Sequence, residues 1–204
     1  MFTPFALVFT TFLLPLFAVV TVESHGFLCF PPSRNAAWMC GFPQDSPKDY
    51  DQMALNAGGV RTVYPNYPER CPITYGVCGD PADREQTHAA GGIHDRGVRA
   101  VFNRGEEVAV QVNLTSYHKG AFYFQLCRDY PETEACFNTI SAFSIEDTST
   151  EGGNPNYIIP VKLPTNLTCE HCVFRWFWIT NNSPGLPPGL PPELFINCAD
   201  ISIT

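Results

Sequence analysis

The 204-residue sequence is poor in positive charge: 12 Lys and Arg stand against 20 Asp and Glu, for a formal net charge of −8. Such a surface lacks the basic patches that phosphate backbones attract, which excludes nucleic acid as a partner class. Internal repeats are missing and so are charge blocks, which removes solenoids and charged tails from consideration. There is no phosphate loop, no Ser–His–Asp order, and no singled-out pair of carboxylates of the kind glycoside hydrolysis needs. Long helical periodicity is also absent; a short helix near Tyr50 to Asn56 is the one candidate.

One long apolar run exists, Phe5 to Val22, with no charge before Glu23. Its strongest part, Phe12 to Val20, is short for a membrane span, and polar, Pro-rich sequence follows at once. A cleaved signal peptide is therefore expected rather than an anchor, with small residues, Val22 and Ser24, placed for a cut before His25. That divides the chain into a leader, residues 1–24, and one domain, residues 25–204. The product would be secreted and free of the membrane, with a net charge of −7 and enough length for one sizeable core. A monomer is the default. All nine cysteines lie beyond the leader and read as a disulfide framework with an odd thiol left over. Sequons at Asn113, Asn166 and Asn181 agree with export.

From His25 to about Arg104 the sequence is rich in proline and glycine and reads as loops. Strand patterns then take over. Val108, Val110, Val112 and Leu114 alternate with Glu107, Ala109, Gln111 and Asn113, a period of two. Further strands are expected over Ala121 to Cys127, Tyr157 to Leu163, Cys172 to Thr180 and Phe195 to Ile203. In the fourth, Phe174, Trp176 and Trp178 share one face. Ser183 to Pro192 reads as a stiff proline-rich loop. Strands at this spacing without a long helix indicate an all-β antiparallel sandwich.

Cleavage before His25 would put a free α-amino group and an imidazole on one residue. The amine and ring Nδ1 can chelate a metal in a six-membered ring, and a second imidazole would complete a T-shaped set of three nitrogens. Planar nitrogen ligation suits Cu(II). The amine's ordinary pKa of about 7.7–8.0 lets copper displace its proton near neutral pH. The remaining histidines are His88, His94, His118 and His171. The Cys169–Cys172 spacing could serve zinc with Cys198 and His171, but in an exported chain a disulfide is the stronger reading.

Several segments carry a family resemblance when taken in order: His25-Gly26 with Pro31-Pro32-Ser33-Arg34-Asn35 and Trp38; Gly76-Val77-Cys78-Gly79-Asp80; His88-Ala89-Ala90-Gly91-Gly92; Leu114 through Gly120; Val161-Lys162-Leu163-Pro164 with Thr168 through Cys172; and Phe195 through Ile201. Together they resemble auxiliary activity family 15 of the lytic polysaccharide monooxygenases, along almost the whole mature chain. The resemblance implies an immunoglobulin-like sandwich with long loops and a flat surface copper site. It implies His25 and His118 as copper ligands, with His88 as the rival, read otherwise as structural. It places Phe195 on the axial side of the metal; without it, Phe195 would be a core aromatic. His94 and His171 match no ligand position.

The implied activity is oxidative cleavage of chitin or cellulose at C1 or C4. It would use one copper ion, an external electron donor, small-molecule or protein, and O2 or H2O2 as co-substrate. Tyr64 and Tyr67 are candidate sugar contacts. The alternative is a non-catalytic polysaccharide-binding or copper-binding secreted protein on the same fold. Departures from the family pattern include Ser116 where alanine is expected, and Ala57 and Tyr75 where cysteines are usual. Cys127 and Cys136 are expected to form a local pair.

Overall fold

A computed structural model describes residues 25–51, 55–66, 73–145, 156–181 and 191–204. Its strands are β1 (His25–Phe30), β2 (Ala100–Phe102), β3 (Glu107–Ser116), β4 (Ala121–Cys127), β5 (Asn138–Ser144), β6 (Asn156–Lys162), β7 (Cys169–Ile179) and β8 (Leu194–Ile203). They build two sheets, ordered β1-β3-β6 and β2-β8-β7-β4-β5. Every pairing is antiparallel except the short β2 beside β8.

The alternation in β3 works as a packing device. Val108, Val110, Val112 and Leu114 are buried while Glu107, Ala109 and Gln111 face solvent. Those four residues, with Leu28, Ile159 and Val161, meet Phe122, Phe124, Phe174, Trp176, Trp178, Phe195 and Ile201 of the other sheet. This is the core of an immunoglobulin-like sandwich. Phe122 packs edge-on against both Trp176 and Trp178, at centroid distances of 5.4 and 5.8 Å.

Strands β7 and β8 are buried almost without interruption. Their inner face meets the other sheet. Their outer face is covered by the loop-rich segments that precede β2. Phe177, Leu194 and Ile196 pack there with Ala57, Val63 and Tyr64, and Val173 packs with the Cys78–Cys198 disulfide. A short helix, α1 (Val60–Val63), lies in this layer. Tyr50 and Asp51 form a turn rather than the expected helix, and residues 52–54 lie outside the described residues. The Asp49 carboxylate accepts the Asp51 backbone N–H at 2.9 Å, a local bond that competes with helical pairing. Residues 182–190, most of the expected proline-rich loop, are also outside them.

Four disulfides join Cys29–Cys40, Cys78–Cys198, Cys127–Cys136 and Cys169–Cys172. The expected local pair and the Cys169–Cys172 disulfide are both present, so those thiols are not a zinc site. Cys71 lies outside the described residues.

Candidate metal centre

His25 opens β1 and pairs across the sheet with Ser116, the last residue of β3. His118 follows two residues later. The approach of β1 to β3 depends on Gly26: a Cβ there would lie 2.5 Å from Leu114 Cδ2 and 3.1 Å from the Asn113 carbonyl oxygen. Only glycine lets the strand sit that close while His25 reaches the strand end. Thr115 Oγ1 donates to the His25 carbonyl at 3.3 Å.

The turn bearing His118 is held from several sides. The Asn181 N–H donates to the His118 carbonyl at 2.9 Å. Trp178 Nε1 donates to the Lys119 carbonyl at 2.9 Å. The Tyr117 hydroxyl donates to the Ile145 carbonyl. Gly120 has φ +89°, and a Cβ there would fall 2.0 Å from the Ile179 carbonyl oxygen. The His118 ring is half-buried, with Nε2 3.2 Å from Ser116 Oγ. That nitrogen therefore faces the residue registered opposite His25. His25 is half-buried too.

Phe195 lies on the other sheet, at the start of β8 and the same end of the sandwich. It is fully buried and packs against Trp178 at a centroid distance of 5.1 Å. Trp178 thus touches the Lys119 turn with its indole N–H and Phe195 with its ring. Asn181 and Trp178 were not singled out as supports of this turn by sequence. Both lie about 60 residues from it, and no local pattern marks such contacts.

The rival, His88, is engaged elsewhere. Its Nδ1 lies 2.9 Å from Asp80 Oδ1 and its Nε2 3.2 Å from Asp49 Oδ2. His94 stacks flat upon it, centroids 4.2 Å apart. Burial opposes a charge on His88, but the adjacent carboxylates of Asp49 and Asp80 outweigh it and raise its pKa. Burial and the neighbouring His88 lower that of His94. His171 bonds Asp200 through Nε2 at 2.8 Å and stacks on Tyr130, a structural role. Tyr64 is buried in the loop layer, which corrects the expected sugar contact; Tyr67 lies outside the described residues.

The motif residue Arg34 is also buried, with Nη1 2.6 Å from Glu132 and Nη2 2.7 Å from Asp200. It joins the segment after β1 to β8. Sequence reading placed Arg34 in a motif but did not find its partners.

The sequence matches, over residues 25–201, a family model described as lytic polysaccharide mono-oxygenase, cellulose-degrading. None of the curated proteins matches. Among solved structures the chain is similar to an AA15 lytic polysaccharide monooxygenase from Thermobia domestica in the Cu(I) state, with 28% identity and a TM-score of 0.73, covering 88% of this chain and 98% of that one. A chitin binding domain from Burkholderia pseudomallei shares the fold at 12% identity and TM-score 0.57, covering 89% of this chain and all of that one, 100%. So does a cellulose-active, copper-bound monooxygenase, at 16% identity and TM-score 0.52, covering 87% and 98%.

Proposed function

This chain belongs to the lytic polysaccharide monooxygenase family, and from that membership we propose that His25 and His118 hold its copper at the exposed end of the sandwich. The protein is a copper-dependent oxidoreductase that degrades polysaccharide oxidatively. The carrying observation is the β1–β3 register, which sets His25 opposite Ser116, two residues before His118. The donor chemistry fits the metal: two half-buried imidazoles from adjoining strand ends, with a third nitrogen from the His25 amine once residues 1–24 are removed. The family match itself begins at His25.

Copper held there by His25 and His118 would supply one-electron chemistry, with an external donor as reductant and O2 or H2O2 as co-substrate, for oxidation at C1 or C4 of a glycosidic linkage. The chain's own residues supply placement. The bonds to the carbonyls of His118 and Lys119 fix the turn, so the second imidazole does not reorganise when metal binds. Gly26 and Thr115 hold the His25 backbone. Phe195 has no donor atom; from β8 it would shield the metal from further strong ligands without binding it. What supports that role is its place beside Trp178.

The substrate is chitin or cellulose. An external imidazole site of this kind suits a solid polymer surface, which no deep pocket could admit. The chain is exported, in keeping with its family, and carries its copper site on a single domain of residues 25–204. Edman degradation of the exported protein should begin at His25. Copper titration should show one tight site, weakened at least 100-fold in His118→Ala, and oxidised oligosaccharides should appear only with copper and a reductant. Full copper affinity in His118→Ala would defeat the assignment. Mass spectra of products from chitin and from cellulose decide the polymer and the oxidised carbon.

A further inference from the structure

The loop layer on the outer face of the five-stranded sheet encloses a pocket of about 430 Å³, lined among others by Asp49, Asp51, Asn56, Asp83 and His88. The His88 side chain is only 7% exposed there. Its two ring nitrogens stand in unequal surroundings. Nδ1 faces Asp80, whose carboxylate is fixed by the His88 N–H at 2.8 Å and by Thr87 Oγ1 at 2.9 Å. Nε2 faces Asp49 Oδ2 at 3.2 Å. Both atoms are cut off from solvent, and neither has a partner in hydrogen-bond geometry. Leaving two such polar atoms buried without a hydrogen bond is costly, so the pair calls for an occupant.

The separation fits one. Ligand bonds of about 2.0–2.2 Å, at angles between square and tetrahedral, put two donor atoms roughly 3.0–3.5 Å apart. A histidine whose second nitrogen is held by a carboxylate is the usual way to aim an imidazole at a metal. We propose that His88 Nε2 and Asp49 Oδ2 are the two protein ligands of a divalent zinc-type ion, separate from the copper, with water from the pocket completing its shell. Imidazole among the donors favours zinc over calcium or magnesium, which take oxygen ligands. Ligation requires a neutral His88, so any proton on Nε2 passes to solvent. His94 stacks face to face on His88, interplanar angle 2°, so it cannot aim at the same ion and instead braces the ring.

Among the described residues the one cluster of three or more donor side chains is elsewhere: Cys78, Cys198 and Glu132. There the sulfurs are joined in a disulfide and the carboxylate is taken by Arg34, so it has no lone ligands to give. The His88 ion would tie the segment at Asp49 to the loops at Asp80 and His88, which together cover the outer face of β8.

The test uses the exported protein loaded with copper and checked by electron paramagnetic resonance. Zinc is then titrated by calorimetry and counted by native mass spectrometry. One zinc should bind per chain with the copper retained. Asp49→Asn should weaken it at least tenfold, and Asp80→Asn by about 10- to 100-fold, as supporting carboxylates do. The copper spectrum should change in neither, and circular dichroism should confirm both fold. No saturable zinc binding, meaning that a proton alone bridges His88 and Asp49, would overturn the proposal. So would Asp49→Asn binding zinc as tightly as the parent. A failure of copper loading would count against His25 and His118 only, because the zinc count is read independently.

Discussion

The Ser116 hydroxyl sits 3.2 Å from His118 Nε2, the nitrogen facing the His25 end of β1. Copper binding through that nitrogen must break this bond, while the half-buried hydroxyl can turn to water. A side-chain hydrogen bond of this kind is worth about 0.5–1.5 kcal/mol net. Ser116→Ala should therefore tighten Cu(II) binding by about 2- to 10-fold, measured by competition with a chelator. Unchanged or weaker binding would mean that Nε2 is not the ligating atom. Gly120 makes the complementary case for backbone. Its φ of +89° and an Ile179 carbonyl oxygen 2.0 Å from where a Cβ would lie leave no room for a side chain. Gly120→Ala should cost at least ~2 kcal/mol in urea unfolding and loosen the turn that carries His118. At this scale the sequence pointed to two features that chemistry makes rare, a histidine at an expected cleavage site and another in a matching motif, and the fold sets them at neighbouring strand ends. The partners that hold them were not legible, because Asn181 and Trp178 reach the turn only through the fold.

Strands with a strict period of two, or with a dense apolar or aromatic run, were readable from sequence. That accounts for β3, whose alternation survives in its burial, and for β4, β6, β7 and β8, which are apolar or aromatic. Strand β1 was missed because its register shifts twice, between His25 and Gly26 and between Leu28 and Phe30, which erases the period. Strand β5 was missed because it is an edge: Asn138, Thr139, Ser141 and Ser144 among its residues give it little apolar signal. The loop layer was legible only as loops, and its ionic interior was not. There, in the zinc-free protein, stability depends on pH. Burial opposes ionisation of Asp49 and Asp80, yet the adjacent His88 ring lowers both below the usual carboxylate range. Their contribution is present above the unfolded value of about 4 and lost as pH falls through the lower folded values. His88 is raised, so its contribution is complete below about 6.5 and lost as pH rises through its folded pKa. His94 is lowered, so it penalises the fold as pH drops below about 6.5 and its unfolded form gains a proton. The sum is a melting-temperature maximum near pH 6.5, falling on both sides. His94→Gln should remove the first acid-side decline and extend the plateau to about pH 4.5. A melting profile in His94→Gln that still falls between pH 6.5 and 4.5 would refute this assignment.

The whole molecule is two packed layers of unlike origin: a sandwich whose strands mostly announce themselves, and a cover of loops with few regular elements. The cover has a small apolar cluster of its own, built on Val63, Tyr64, Phe177 and Ile196. Its attachment to the sandwich rests heavily on a long-range covalent tie. Cys78–Cys198 spans 120 residues and joins the cover to the middle of β8, whereas Cys169–Cys172 spans 3 and lies within β7. A cross-link restricts the unfolded chain more when the loop it closes is longer. The chain-entropy relation gives about 5 kcal/mol for the first and about 2 kcal/mol for the second. Buried contacts point the same way, since Cys78 and Cys198 are both almost fully enclosed and pack with Val173. The Cys78→Ser, Cys198→Ser double variant should therefore lose more than twice the stability lost by the Cys169→Ser, Cys172→Ser variant, compared by guanidinium unfolding under non-reducing conditions. Because the cover lies outside β8 and the proposed copper ligands, His25 and His118, sit on β1 and the turn after β3, the first variant should unfold more readily yet still bind copper once folded. Equal losses from the two pairs would mean that the cover is held by its apolar cluster and by the ties from Arg34 to Glu132 and Asp200 rather than by the long disulfide.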